Sequence, residues 1–307
     1  MSAAAQNLDK IDLRSQLVSA LLKIKPLANF AKYRARKMMI TRAEAMGVPW
    51  RDNVKELQTR DWSKDLAAIT NPDLTYPRYY LTSFHAYEQG NLSWDAAFEV
   101  ESAAYAVHSR IWPDIPHIEG DPTLRNTFQA ILSQHISTIP NNIVDLGCGV
   151  GMSTQVLRQN FPQATLTGID LSPHFLAVAK HRVPCTDNIT WQHAPAEATG
   201  LKTNSVDLVS ACLMFHELPS SAAREIIQEA RRLLRPGGHL AIMDMNPRSQ
   251  VYAAMPSFIL TLLKSTEPYL DQYFTLDLEH VLAEEGFNAI TITPTSPRHR
   301  VVLAQTT

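Results

Sequence analysis

The feature that most constrains the fold is a glycine-rich segment, IVDLGCGVG, at residues 143–151. Gly147, Gly149 and Gly151 follow a short apolar run and precede a helical pattern. Glycine is favoured where the backbone turns tightly and must let a ligand approach closely. A loop of this kind between a strand and a helix is typical of nucleotide-binding units, although glycine spacing alone is weak evidence.

Strand and helix patterns alternate from about residue 120 to the C-terminus. Seven apolar strand patterns are present: NNIVDLGC, ATLTGIDLS, NITWQHA, SVDLVSACLMF, GGHLAIMDM, NAITITP and HRVVLAQ. Helical patterns lie between several of them: MSTQVLRQNF, PHFLAVAKHR and SAAREIIQEARRLL. This order predicts an α/β fold with a Rossmann-like, seven-stranded, mostly parallel sheet. The last two strands are predicted to form an antiparallel hairpin at its edge.

The first 120 residues show helical periodicity and almost no strand pattern. One predicted helix begins after Ser93, which is a favourable N-cap, and ends before Pro113. We therefore predict a helical N-terminal cap at residues 1–120 and a nucleotide-binding domain at residues 121–307. Residues 246–275 are too long for a simple loop between a strand and a helix of that domain. We predict that they form a lid over a ligand site.

Charge is unevenly distributed along the chain. The formal net charge is −2, but residues 1–60 hold twelve Lys and Arg against five Asp and Glu, so the remainder carries −9. Residues 13–43 contain eight basic residues and no acidic one. A basic amphipathic helix can lie on an anionic membrane. We favour the alternative that this segment docks on the acidic remainder of the chain, and we expect no nucleic-acid partner.

The cysteines and the hydropathy pattern narrow the class of protein further. Cys148, Cys185 and Cys212 are far apart and form no Cys/His cluster with metal-ligand spacing, so the sequence predicts no metal site. The chain lacks a membrane-spanning apolar run and a signal-peptide pattern. We expect a cytoplasmic protein, in peripheral contact with a membrane if residues 13–43 bind lipid. The oligomeric state stays open.

An acidic residue ends the second predicted strand. Asp170 lies nineteen residues after Gly151, where a carboxylate can accept hydrogen bonds from both hydroxyls of a ribose. The glycine spacing is shorter than the usual G-x-G-x-x-G pattern of NAD-binding proteins, and the phosphate-binding P-loop pattern is missing. These features favour a nucleoside ligand over NAD or a nucleoside triphosphate.

At this point the chain resembles a known family. DLGCGVG, GIDLSPHFLAVAKHR, SVDLVSACLMFHELP and EARRLLRPGGHLAIMD are similar, in order and spacing, to the motifs of class I S-adenosylmethionine-dependent methyltransferases. The resemblance extends from about residue 121 to the C-terminus and implies that S-adenosylmethionine is the methyl donor. The alternative is a domain of the same Rossmann-like fold that binds no methyl donor.

The resemblance also implies roles for individual residues. The Gly147 backbone would bind the donor's amino group and Asp145 would orient that end of the donor. Asp170 would hold the ribose, and Leu171 would pack on the adenine. Gly149 and Gly151 complete the loop.

The adenine-binding position departs from the family pattern. Pro195 stands where many relatives carry an aspartate that accepts the adenine amino group. We therefore expect the backbone N–H of Ala196 and apolar contacts to hold the adenine. Glu197 is the less favoured substitute for the missing carboxylate.

Three regions can reach the acceptor, which in this fold lies above the carboxyl ends of the strands. The first is the turn after the fourth strand, with His216 and Glu217, and the second is the predicted lid. The third is an aromatic part of the N-terminal region, with Tyr76, Tyr79, Tyr80, Phe84, His85 and Tyr87.

Each candidate side chain has a functional and a structural interpretation. His216 is a candidate general base or acceptor-positioning group, or else a wall of the pocket. Glu217 is a candidate participant, although an acidic residue also suits the start of a helix. Tyr79 and Tyr80 either close over the donor, as aromatic residues in the lids of relatives do, or pack the interior. His299, between two arginines, is predicted to be on the surface.

The predicted activity is transfer of a methyl group from S-adenosylmethionine to a small-molecule acceptor by in-line displacement. O- or C-methylation is favoured over N-methylation. The alternative is a non-catalytic S-adenosylmethionine-binding protein with a regulatory or assembly role. An intact donor site is common to both, so the motifs alone leave this alternative open.

Overall fold

The computed structural model describes residues 13–22, 24–83, 85, 87–183 and 188–307. Phe84 and Cys185, considered above, and residue 23 of the basic segment lie outside the described residues. The N-terminal region is helical as predicted, and its helices are α1 (Leu13–Leu22), α2 (Lys25–Ala45), α3 (Trp50–Gln58), α4 (Ser63–Ile69) and α5 (Trp94–His108). Ser93 caps α5 by accepting a hydrogen bond from the backbone N–H of Ala96.

A seven-stranded sheet forms the centre of the remaining chain. Its strands are β1 (Asn142–Leu146), β2 (Thr165–Asp170), β3 (Ile189–His193), β4 (Val206–Cys212), β5 (Leu234–Met245), β6 (Phe287–Ser296) and β7 (His299–Thr306). Their order is β3-β2-β1-β4-β5-β7-β6. The first five strands are parallel, and β7 is antiparallel to both neighbours. The predicted mostly parallel sheet with a C-terminal hairpin is confirmed.

Helices cover both faces of the sheet. They are α6 (Gly120–His135), α7 (Met152–Asn160), α8 (Pro173–Arg182), α9 (Ser220–Leu233), α10 (Gln250–Ala253), α11 (Ser257–Lys264), α12 (Leu270–Thr275) and α13 (Leu278–Glu284). Side chains alternate between the faces along each strand. Ile143 therefore packs in the cluster that includes α6, α7 and α8, while Val144 packs in the cluster that includes α9 and α13.

The basic helix α2 is attached to the rest of the N-terminal region by an ion pair between an exposed arginine and a buried glutamate. Arg36 donates to both carboxylate oxygens of Glu99 on α5, and Tyr87 also donates to this carboxylate, at 2.6 Å. Helix α5 in turn packs on α6 and α8. Helix α2 therefore reaches the sheet domain through α5, whereas α1 packs directly on α11 of the 246–275 insertion. In the described part of the chain, none of the helices combines the length and apolar content needed to span a membrane.

A buried polar network joins α5 to α6 across the predicted boundary at residue 120. Asp121 accepts from His108 Nδ1 at 2.7 Å and from Arg125 Nε at 2.8 Å, and all three side chains are buried. Burial alone would raise the pKa of Asp121, but Arg125 and His108 outweigh it and hold this pKa below its ordinary value. The position of the domain boundary stays a prediction, because the two segments share this network.

Two details differ from the expectations. The fourth strand ends at Cys212, three residues before Phe215, because Leu213 adopts a left-handed φ of 58° and turns the chain. His299 is buried, so its prediction as a surface residue is wrong. Its ring packs edge-on against His108, 5.6 Å between centroids, and its Nδ1 is 2.8 Å from the hydroxyl of Ser296.

Candidate active site

The glycine-rich loop connects β1 to α7 at the carboxyl end of the sheet. Gly147 has a φ of 63°, and a Cβ built there would lie 2.4 Å from Sδ of Met214. Gly151 has a φ of 84°, and a Cβ there would lie 2.7 Å from the ring of Trp191. Both positions therefore require glycine for conformation and for space. The loop lies at the topological switch point between β1 and β4, which is where ligands bind in open sheets of this type.

The carboxylate of Asp145, near the end of β1, is buried beneath this loop. Its Oδ2 accepts from the hydroxyls of Thr154 at 2.6 Å and Ser153 at 3.1 Å, whereas Oδ1 has no hydrogen-bond partner within the described residues. Burial raises the pKa of Asp145 to about 6, although the two hydroxyls oppose the shift. An unsatisfied buried carboxylate oxygen is costly, so it suits a site that receives a cationic or hydrogen-bond-donating ligand.

Asp170 ends β2 beside the same loop. Its carboxylate accepts from the backbone N–H of Ser172 at 2.7 Å and of Gly149 at 2.8 Å. Burial raises its pKa to about 6, opposed by these two donors. The hydroxyl of Tyr80 lies 3.5 Å from Oδ1, the longest of the three contacts. That contact is the one that a ribose hydroxyl would most easily replace.

The predicted adenine-side residues follow β2 and β3. Leu171 and Ala196 are buried, and their assignment to the adenine stays a prediction. The carboxylate of Glu197 accepts from the hydroxyl of Tyr79 at 2.9 and 3.0 Å, and burial raises the pKa of Glu197. Glu197 therefore has a partner in the N-terminal region in this structure.

A tyrosine-rich segment, residues 76–81, lies across the donor side of the sheet. The rings of Tyr76 and Tyr80 are stacked with centroids 6.3 Å apart. The hydroxyl of Tyr79 contacts Glu197, and that of Tyr80 contacts Asp170. His193 at the end of β3 contacts this segment and the residues before it: its Nε2 lies 3.3 Å from the hydroxyl of Tyr76, and its Nδ1 accepts from Asn71 N–H at 2.9 Å. The lid role of Tyr79 and Tyr80 stays a prediction.

His216 lies in a short 3₁₀ turn, Phe215–Glu217, just past β4. Its Nδ1 donates to Asp244 Oδ1 at 2.8 Å, and Asp244 Oδ2 also accepts from the backbone N–H of His216 at 3.2 Å. Burial disfavours the imidazolium, but Asp244 outweighs it and raises the pKa of His216 to about 10. The ring is therefore oriented and its charged form is stabilised, while Nε2 is not engaged by Asp244.

Glu217, the neighbour of His216, has partners from the N-terminal region. Its Oε2 accepts from Nδ2 of Asn91 at 3.3 Å, and its Oε1 lies 3.7 Å from Nε2 of His85. The structure brings both members of the predicted pair to the same edge of the sheet as Asp145 and Asp170. The two side chains have different partners: His216 is paired with Asp244 on β5, whereas Glu217 faces the N-terminal region.

Sequence reasoning missed two residues of the site, Asp244 and His193. Asp244 follows the apolar run HLAIM near the end of β5, which is the parallel neighbour of β4, and His193 ends β3. Polar residues at the carboxyl ends of adjacent parallel strands converge on one edge. That rule, applied to every strand rather than to the first, second and fourth, would have found both.

Comparison with known proteins agrees with this geometry. Residues 144–242 match the family described as "Methyltransferase domain". An uncharacterised methyltransferase of Synechocystis sp. is 32% identical over 148 residues, which cover 48% of this chain and 67% of that protein. A malonyl-[acyl-carrier protein] O-methyltransferase of Hahella chejuensis is 35% identical over 116 residues, covering 36% of this chain and 39% of that protein. The matched segment is thus only part of these relatives.

A solved structure shares the fold at low sequence identity. The phosphoethanolamine N-methyltransferase 2 of Haemonchus contortus, in complex with S-adenosyl-L-methionine, has a TM-score of 0.55 and 16% identity, covering 77% of this chain and 61% of that one. With the sheet order and the glycine loop, these matches define the class of protein. The chain belongs to the class I S-adenosylmethionine-dependent methyltransferases, and it is an enzyme that uses S-adenosylmethionine as methyl donor.

Proposed function

We propose that this enzyme methylates an oxygen or carbon atom of a small-molecule acceptor held against His216. The observation that carries the proposal is the hydrogen bond from His216 to the buried Asp244, at the edge of the sheet where the glycine loop lies. The O-methyltransferase among the relatives supports an oxygen acceptor. Methyl transfer itself needs no covalent intermediate with the protein, so positioning the acceptor is the main task of this side of the site.

On the donor side, we propose that Asp145 and the Gly147 backbone hold the amino-acid end and that Asp170 holds the ribose. The unpartnered Oδ1 of Asp145 and the position of the glycine loop at the topological switch point support this assignment. Leu171, Ala196 and Glu197 would line the adenine. When bound, S-adenosylmethionine supplies a methyl group on a positively charged sulfur, which is the electrophile of the reaction.

On the acceptor side, His216 would contact the acceptor through Nε2, because Nδ1 is held by Asp244. Because its pKa is raised to about 10, the ring carries its proton at neutral pH, and Nε2–H would donate a hydrogen bond to an acceptor oxygen and position it. The role of general base would require the neutral ring, which this pKa disfavours. Tyr79, Tyr80 and the 246–275 insertion would exclude water from this space, with residues 1–120 as the cap that carries the tyrosines. Glu217 would help to bound the acceptor space.

Replacing His216 by alanine tests the acceptor contact. We expect kcat to fall by about a hundredfold or more, since general acid–base and positioning groups contribute effects of this size. Donor affinity should stay close to wild type, because His216 is assigned to the acceptor. The measurement is donor consumption over a metabolite panel, with donor binding followed by calorimetry.

The matched control is His117→Ala, which removes an exposed histidine away from the site. It should leave both turnover and donor affinity unchanged. Asp244→Asn should reduce kcat in the same direction as His216→Ala, since it weakens the hold on the ring. Full turnover by His216→Ala at saturating acceptor would contradict the proposal.

A second proposal concerns the N-terminal helices. We propose that residues 13–43 contact an anionic membrane surface, which would suit an apolar acceptor. Large apolar side chains are exposed along α1 and α2 beside basic ones; they are Leu17, Leu21, Ile24, Leu27, Phe30, Tyr33 and Met38. Exposed apolar side chains among basic residues are the pattern of helices that lie in a membrane interface.

Vesicle co-sedimentation tests this contact at low salt. Phe30→Ser should weaken binding of the full chain to vesicles containing phosphatidylglycerol by about tenfold, because one large apolar side chain would no longer be buried in lipid. Ile139→Ser is the matched control, since Ile139 is more exposed than Phe30, at 71% against 62%, but lies outside this segment. Equal binding of the two variants, or no binding by the wild type, would reject the membrane contact.

A further inference from the structure

Three ligand-type side chains from separate parts of the chain meet next to His216. They are His85 from the N-terminal region, Glu217 from the turn after β4, and Glu267 from the insertion between β5 and β6. His85 Nε2 lies 3.2 Å from Glu267 Oε1 and 3.7 Å from Glu217 Oε1, and the three ligand atoms are all within 4.8 Å of one another. We propose that this cluster is a binding site for one divalent transition-metal ion.

The spacing of the ligand atoms fits a metal ion. Bonds of about 2.0–2.2 Å around a tetrahedral ion place neighbouring ligand atoms roughly 3.4 Å apart. The two distances from His85 bracket that value, and the two glutamate ligand atoms lie no more than 4.8 Å apart. One imidazole with two carboxylates is a ligand set for Zn²⁺, Mn²⁺ or Fe²⁺ more than for Mg²⁺ or Ca²⁺, which take oxygen ligands.

Glu267 supplies an independent reason to expect a cation. Its side chain is only 8% exposed, its carboxylate reaches into the cluster through Oε1, and its Oε2 has no hydrogen-bond partner within the described residues. Burial raises the pKa of Glu267, while His85 and His216 oppose the shift. A buried carboxylate oxygen without a partner is costly, and a cation bound through both oxygens of this carboxylate would satisfy it.

The surroundings orient the ligands towards one another. His85 adopts a left-handed φ of 52°, which is unusual for histidine, and its N–H donates to the carbonyl of Thr266 at 2.9 Å. This bond ties His85 to the residue next to Glu267. Asn91 holds Oε2 of Glu217, which leaves Oε1 facing His85. Partners of this kind are typical around metal ligands because they fix ligand orientation.

Patterns in the sequence predicted no metal, since ligands 50 or more residues apart have no recognisable spacing. In the structure, an ion at this cluster would link the cap, the turn after β4 and the insertion beside the acceptor space. A role for this ion in binding and polarising an acceptor oxygen rests on the function proposed above. The binding of the ion does not rest on that function, because it depends only on the three side chains.

Cobalt binding tests the site in the full chain, after chelator treatment and without donor or acceptor. We expect one Co²⁺ per chain by equilibrium dialysis, with visible d–d absorption. Glu267→Gln and Glu217→Gln should each weaken binding by about tenfold or more, since each removes a ligand. Near-ultraviolet circular dichroism checks folding, and Glu217→Gln is the milder change because Glu217 is partly exposed.

The matched control is His280→Gln, which alters an exposed histidine paired with Glu284 on α13. It should bind Co²⁺ as the wild type does. Absence of stoichiometric binding by the wild type, or equal binding by all variants, would overturn the assignment and leave the cluster as an ion-pair network. This experiment measures Co²⁺ binding and not turnover. An unchanged turnover of His216→Ala would therefore contradict the proposed function without affecting the metal site.

Discussion

Replacing Asp121 by asparagine is expected to destabilise the protein by about 3–5 kcal/mol, the range observed when one partner of a buried ion pair is removed. Asparagine keeps the shape of the side chain but not its charge. The guanidinium of Arg125, which is 8% exposed, would lose its counter-charge, and His108 would lose its carboxylate acceptor. The measurement is the midpoint of guanidinium chloride unfolding, which should fall clearly below that of the wild type.

The control for this result is an ion pair of the same chemistry on the surface. Glu284 is exposed and pairs with Arg224 at 2.7 Å. Glu284→Gln should leave the unfolding midpoint unchanged, because solvent screens exposed pairs. If Asp121→Asn unfolded at the wild-type midpoint, the network between α5 and α6 would not contribute to stability as its burial implies.

Donor affinity is expected to fall as the pH is lowered from 7 to 5. The pKa values of Asp145 and Asp170 are both raised to about 6 by burial, so both carboxyls take up protons in this interval in the free protein. In the donor assignment proposed above, the ammonium and the ribose hydroxyls bind the ionised carboxylates. Protons therefore compete with the donor, and each carboxyl lowers affinity by about tenfold between pH 7 and pH 5. Above pH 7 the affinity should level off.

Neighbouring groups also influence the pKa values of these two carboxyls. Hydroxyls of Ser153 and Thr154, with the charge of Arg125, favour ionisation of Asp145. Backbone donors favour ionisation of Asp170, whereas the charge of Glu217 opposes it. Calorimetric titration of S-adenosylmethionine across the pH range measures the effect.

Variants of the carboxyls separate their contributions to this pH dependence. Asp170→Asn should bind the donor more weakly at pH 7 and show about half of the wild-type slope on a logarithmic scale. Asp145→Asn should behave in the same way, since the two carboxyls act on different parts of the donor. A wild-type affinity that is constant from pH 7 to pH 5 would contradict the assignment of these carboxyls to the donor.

The fold was largely predictable because its signals are local. Each strand of the sheet is a short apolar run bounded by turn residues, and the intervening helices show their own period. The alternation determines a parallel arrangement with few alternatives. The early end of β4 was not predictable, because the left-handed φ of Leu213 falls within an unbroken apolar run.

The convergence of the residues assigned to the donor was predictable for a related reason. Asp145, the three glycines and Asp170 lie at the ends of β1 and β2, so their sequence positions relative to the strands already specify where they converge. His299 was misplaced, because two flanking arginines suggested solvent, whereas Arg300 is itself buried in the hairpin. Residue type alone does not report which face of a strand is covered.

By itself, then, the sequence determined the sheet, the position of the glycine loop and the family, since these depend on local periodicity and on motifs of contiguous residues. Only the tertiary structure decided which side chains meet at the acceptor side. Asp244 pairs with His216 across 28 residues, and His85, Glu217 and Glu267 meet from three segments. Such contacts depend on how the cap and the insertion pack against the sheet, and packing between distant segments leaves no period in the chain.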